Sequence, residues 1–220
     1  MTKHHFSFKD VFCFGWDKTR QHAWFLFLTF IIAGVLVSAI RGTHMLAMAV
    51  GILMILSIAS ISLTISRNHS FTFYDLFTPL LSPRRVLTFA VLLGIVLIPA
   101  LITGWAWALF VAGALTKNIS MASFGLILGL ITTIPALFVL VRMKFFPFVF
   151  LDNEHMRVQD ILRTSYQLTH NHFWIIFTFL LMAAVLNTLG VITCVGLLIT
   201  IPTTLFANAY IYNKLKDHTI

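Results

Sequence analysis

The sequence predicts an all-α integral membrane protein with six transmembrane helices and both termini in the cytoplasm. Three observations carry that expectation: the composition, the length of the apolar runs and the placement of the basic residues. Of 220 residues 59% are hydrophobic and only 10% charged, against about 25% charged in an ordinary soluble domain. The apolar residues fall in runs of roughly 17 to 25, the length that crosses a hydrocarbon core of about 30 Å, and the runs hold no charges. Lipid is therefore the solvent for most of the chain.

The spans read as Trp24 to Ile40, Met45 to Ile65, Val86 to Val111, Ser123 to Val141, Phe173 to Leu189 and Thr193 to Tyr212. Between the fifth and sixth, the segment from Gly190 to Gly196 has no charge, and only its two glycines mark a tight turn. A single long re-entrant element competes there with a two-span hairpin. A cleaved signal peptide ending near Val37-Ser38-Ala39 is rejected. The segment before it is long, contains Asp10 and Asp17 and has a counterpart later in the chain, whereas a signal n-region is short and basic.

Orientation follows from the basic residues. Thirteen of the fifteen Lys and Arg fall on one side of these spans, leaving only Arg41 and Lys117 on the other. By the positive-inside rule both termini are cytoplasmic. All seven acidic residues share that side, so no extracytoplasmic domain is left to recognise a ligand. The formal charge of +8 would suggest nucleic acid in a soluble protein. Here the cations stand in short loops beside helix ends, facing anionic headgroups, and nucleic-acid binding is not expected.

Sliding the chain against itself finds a repeat. Phe8-Lys9-Asp10-Val11-Phe12, Phe73-Tyr74-Asp75-Leu76-Phe77 and Val158-Gln159-Asp160-Ile161-Leu162 share one apolar-x-Asp-apolar-apolar pattern, each before an odd-numbered span. The first and third copies also align Trp16 with Tyr166, His22 with His172 and Trp24 with Trp174. The single membrane domain, residues 1–220, thus divides into three tandem units at about 7–65, 72–141 and 157–213. Each is an interfacial amphipathic helix followed by a two-span hairpin. Phe8, Val11, Phe12 and Gly15 with Trp16 form one apolar stripe, and Val158, Ile161, Leu162 and Ser165 another. Ser7-x-x-Asp10 and Thr72-x-x-Asp75 read as capping boxes, whereas Arg157 stands at the third cap position and loses half the device.

Catalytic signatures are absent. No ionisable residue lies in the middle of a span, where proton relays and ion paths put them. The chain has no H-E-x-x-H, G-x-S-x-G, P-loop or dinucleotide fingerprint, and no nucleophile–base pair can be named. Cys13 and Cys194 have no metal spacing and are placed near opposite membrane faces, so neither a disulfide nor a metal site is implied. Eight of the nine histidines fall on the cytoplasmic side, and His170 and His172 point to different faces of a helix. They read as interfacial residues bonded to headgroups and water. No enzyme activity, cofactor or metal is expected.

The residues left for a binding role are few. Arg84, Arg85, Arg142 and Lys144 form a basic cluster beside helix ends, with Arg142 expected to snorkel to phosphate. Pro99, Pro135 and Pro202 sit inside spans three, four and six, where each frees a carbonyl and kinks the helix. Asn187 and Asn208 are the strongest polar groups in spans five and six. They would either bond to each other or to a freed carbonyl, or line a substrate path. Gly125 and Gly129 have the small-xxx-small spacing of close helix packing.

From Pro135 through Arg142, Phe146-Pro147-Phe148-Val149, Asp152, the helix with Ser165 and Thr169, to Phe173-Trp174, the chain resembles a loosely related group of bacterial multi-pass proteins. These are the YciC-like inner-membrane proteins and the membrane domain found beside glycerophosphodiester phosphodiesterases. Gly15-Trp16 followed by basic residues is similar to the start of the same group, and the resemblance covers about two-thirds of the chain. It implies fold and location rather than activity. The catalytic barrel that accompanies such domains elsewhere has no room here, so the resemblance implies no enzyme.

Two functions are weighed on these grounds. The first is a non-enzymatic membrane protein that engages anionic lipid or a protein partner through its basic cytoplasmic face, as a scaffold or envelope-organising component. The alternative is a small-solute or lipid permease, with a cavity between the repeats lined by Asn187, Asn208 and the carbonyls freed by the three prolines.

Overall fold

A computed structural model describes residues 7–25, 27–29, 44–69, 82–153, 156–192 and 196–219. Among them the regular structure is helical, in eight named elements: α1 Phe8–Gln21, α2 His44–Ser66, α3 Pro83–Leu115, α4 Ile119–Arg142, α5 Phe146–Asp152, α6 Val158–His170, α7 Phe173–Ile192 and α8 Leu197–Thr219. Residues 23–25 and 27–29 are helical too. Most of the expected first span, and the second amphipathic copy with its Thr72 and Asp75 cap, lie outside the described residues.

Three apolar segments are long enough to cross a membrane among the described residues: Pro83–Leu115, the stretch Ile119–Asp152 that contains α4 and α5, and Phe173–Ile192. Their outer faces are as apolar as their buried ones. Leu101, Trp105, Ile119, Ile134 and Trp174 are 66–83% exposed, and helices hydrophobic all round are not stable facing water. The chain is a membrane protein on that ground.

α8 is the most polar of the long helices, carrying Thr200, Thr203, Thr204, Asn208 and Asn213. Its position explains this, because α1, α2, α6 and α7 all pack on it. A helix enclosed by protein needs no apolar coat. Phe206, Ala207, Ala209, Ile211, Tyr212 and Leu215 on it are buried.

Small residues set the close contacts. α3 and α4 form an antiparallel hairpin in which a Cβ on Gly113 would collide with the backbone of Ala122, and one on Gly125 with the backbone of Phe110. A Cβ on Gly129 would meet the Trp107 ring at 3.1 Å. Close approach lets Thr103 Oγ1 donate to the Thr132 carbonyl at 3.0 Å and Trp107 Nε1 donate to Thr133 Oγ1 at 3.2 Å, so polar groups inside the hairpin are met across it. The turn is made by Lys117 with φ 55° and closed by Asn118, whose side chain accepts from the Met121 amide at 3.2 Å.

α1 lies on α8 in the same manner. A Cβ on Gly15 would strike the Thr203 carbonyl, and Thr203 Oγ1 donates to Thr19 Oγ1 at 3.2 Å in a buried contact. The buried stripe of α1 is Val11, Gly15 and Thr19, while Trp16 stands half exposed. The stripe expected from sequence is thus rotated toward Thr19, because α8 takes the glycine side. In α6 the buried residues are Ile161, Ser165, Leu168 and Thr169.

Candidate functional site

The cations gather at one end of the bundle, where α2, α4 and α8 finish and α3 and α7 start. The core there is aromatic: Phe89, Phe145, Phe146, Phe148 and Tyr212 are all buried. Pro147 starts α5, its missing amide costing nothing in a first helical turn. The short helix returns the chain beneath α2 and delivers Asp152 to the centre of this end.

Asp152 is the hub. Its carboxylate accepts from Arg67 Nη1 and Nη2, from Tyr212 Oη and from Lys216 Nζ, each at 2.8 Å, and its side chain is 6% exposed. Arg67 reaches it because α2 ends in a left-handed Asn68, φ 57°, which turns the chain back with the His69 amide bonded to the Thr64 carbonyl. Lys18 Nζ donates to Asn68 Oδ1 at 2.7 Å, while Arg67 Nε donates to Asn213 Oδ1 and Asn213 Nδ2 to Ser66 Oγ. The hydrogen bond to Asp152 holds the Arg67 guanidinium above its ordinary range, outweighing partial burial. Every group here is satisfied, which describes a structural clasp rather than a reactive centre.

Arg142 is placed differently. α4 ends on it, and its carbonyl, one of the orphans of a helix end, accepts from Ser165 Oγ at 3.2 Å and Thr169 Oγ1 at 3.1 Å on α6. The side chain was expected to run out to phosphate; it is 9% exposed, because α6 and α7 close over it. The guanidinium carbon lies 5.1, 4.8 and 5.1 Å from the ring centres of Phe138, Tyr166 and Phe173. Its Nε and Nη1 are buried and have no hydrogen-bond partner among the described residues. Two residues on, Lys144 Nζ sits 5.0 Å over the Phe179 ring and takes part in none of the ion pairs found among the described residues.

Arg84 and Arg85 occupy the first turn of α3, right after Pro83. No acidic residue accompanies them in that turn, so they oppose the positive end of the helix dipole. Ring packing of Phe89 on Phe146 and Phe150, at 5.6 and 5.5 Å, holds this turn beside α5.

The other sequence candidates are dispersed. Ser7 Oγ accepts from the Asp10 amide at 3.4 Å and caps α1, while Arg157 at the start of α6 makes no side-chain cap. The Pro99 carbonyl lies 2.9 Å from Thr103 Oγ1 inside the α3–α4 hairpin and shares that one hydroxyl proton with the Thr132 carbonyl. Asn187 and Asn208 do not bond to each other: the Oδ1 of each is buried without a partner, as is Thr200 Oγ1. Pro202 borders a small space of about 20 Å³ beside Phe206 and Thr29. Among the described residues no three His, Cys, Asp or Glu stand close enough to share a metal.

Sequence reasoning missed the Asp152 hub, noticing that aspartate only within the resemblance. Its partners come from segments 60 to 85 residues away, a distance no local pattern spans. The fold and site define an all-α membrane protein with a cation-rich end. No family model, curated protein or solved structure matches the chain.

Proposed function

We propose that this is a multi-pass protein of a bacterial inner membrane, non-enzymatic, that holds anionic lipid headgroups on its basic cytoplasmic face. The reading takes six spans in three tandem units with both termini inside. The observation that carries it is the basic end itself, where Arg84, Arg85, Arg142 and Lys144 gather and the Arg142 Nε and Nη1 find no acceptor among the described residues. A buried cation without a counter-charge is costly, and a lipid phosphate would supply both the charge and the acceptor geometry that arginine matches. The start of α3, where Arg84 and Arg85 stand, would suit the same anion through the positive end of the helix dipole.

The test is co-sedimentation of the purified protein, reconstituted in nanodiscs of neutral lipid, with vesicles of phosphatidylglycerol or phosphatidylcholine. Binding to the anionic vesicles that weakens with salt, and that falls when Arg84, Arg85, Arg142 and Lys144 are changed to Gln, supports the reading. Equal binding to both vesicle types sinks it.

A further inference from the structure

A groove of about 430 Å³ opens between α3, α4, α5 and α7, within the roughly 300–1,000 Å³ range of ligand pockets. Thirteen residues line it, and twelve are apolar; Lys144 is the exception. It follows α7 from Phe177 to Ala184, seven residues and so roughly 10 Å along the helix at 1.5 Å per residue. Lys144 marks its shallow end, at the turn after α4, while Leu97 and Ala184 lie deeper among the membrane-crossing segments. The groove is partly open rather than sealed.

From this arrangement we infer that the groove seats one acyl chain of an anionic phospholipid, with the phosphate held by Lys144 at its mouth. The inference deepens the lipid-binding reading above and rests on it. Charge complementarity selects the occupant. Lys144, at the edge of an otherwise apolar cleft with its Nζ over the Phe179 ring, takes part in none of the ion pairs found among the described residues, and an anion at the mouth would supply the compensation that desolvation of a charge requires. A neutral lipid would fill the apolar walls and leave Lys144 uncompensated. The opening accommodates a two-chain lipid, whose second chain stays in the bilayer. Arg142, behind its three aromatic rings, faces α6 and lies outside the lining, so the groove lipid and the surface contacts are separable.

The experiment reconstitutes the full chain with phosphatidylglycerol or phosphatidylcholine carrying a photoactivatable group in one acyl chain, irradiates it and maps the adducts by mass spectrometry. Phosphatidylglycerol adducts on Leu93, Phe177 or Leu180 are expected, at about tenfold the level given by phosphatidylcholine, since a charge-assisted hydrogen bond is worth about that ratio. Lys144→Gln is expected to remove the preference and Lys144→Arg to keep it. Ala184→Leu, which intrudes on the groove, is expected to lower labelling with both lipids. Unlabelled phosphatidylglycerol, competing on the unaltered chain, is expected to reproduce that loss should the variant fail to fold. Equal labelling by the two lipids, or labelling unaffected by Lys144→Gln, overturns the proposal, as does displacement by palmitate where phosphatidylglycerol fails to compete. Vesicle binding through Arg84 and Arg85 is scored separately. Its loss with the groove adducts retained refutes the surface reading alone, and its persistence without adducts refutes the groove alone.

Discussion

Arg67 and Asp152 meet through a two-pronged ion pair, both arms 2.8 Å long, between segments 85 residues apart. The pair ties the end of α2 to the end of α5, and Lys216 and Tyr212 add α8 to the same carboxylate. A single oxygen-bearing group therefore fastens three helices at the cation-rich end. Arg67 and Lys216 side chains stay about a third exposed, 33% and 37%, so water shares the compensation and the pair is weaker than a fully buried one.

Asp152→Asn keeps the shape and removes the charge. It is expected to cost about 1.5–3 kcal/mol, the range for hydrogen bonds to charged groups. A lowered melting temperature in detergent, with a smaller loss for Lys216→Gln, would be the signature. An unchanged melt would show that the clasp does not contribute to stability.

Gly125→Ala puts a methyl group against the Phe110 backbone, which cannot move without parting α3 from α4. Overpacking of this kind costs about 1–3 kcal/mol. Gly104 is the internal control, because a Cβ there meets nothing within 4 Å, and Gly104→Ala is expected to be neutral or slightly stabilising. Thermal unfolding of the two variants side by side separates packing from helix propensity; equal losses would refute the tight hairpin.

Ser165→Ala and Thr169→Val each remove a hydroxyl that donates to the Arg142 carbonyl. Either alone leaves the other donor in place and is expected to cost under about 1 kcal/mol. The double change strips the end of α4 and is expected to cost more than the sum of the two, since the last donor lost leaves a buried acceptor unpaired. A double-mutant cycle on melting temperature measures the difference, and strict additivity would refute the shared cap.

These cases show what could be read from the chain in advance. Gly125 and Gly129 were legible because residue size and a four-residue spacing alone dictate close packing. The short helix with Ser165 was legible from its period, though the hydroxyl's acceptor on α4 was not. Asp152 was opaque, since an aspartate after an aromatic run looks like any loop residue until α2 and α8 are folded against it. α8, expected as the sixth span from Thr193 to Tyr212, has the composition of a helix enclosed by others, and hydropathy does not see enclosure. Of the roles expected for Asn187 and Asn208, a bond to each other, a bond to a freed carbonyl or a polar lining, the first is absent: on packed helices position decides, and each Oδ1 is buried with no donor among the described residues.

Arg142 offers the sharpest separation between a structural and a lipid-binding cation. Three aromatic rings within 5.1 Å of its guanidinium carbon would each contribute about 0.5–1 kcal/mol, more when desolvated. Against that stands the cost of Nε and Nη1 without acceptors. Arg142→Leu removes both and keeps an apolar side chain between the rings. In neutral detergent the loss and gain oppose each other, and the variant is expected to melt within a few degrees of the parent. In phosphatidylglycerol only the parent gains the phosphate contact, so a stabilisation that rises with lipid concentration is expected for it and absent in the variant. Melting curves in both media decide the point. An equal drop for Arg142→Leu in detergent and in anionic lipid would make the residue a structural pin whose rings alone hold it.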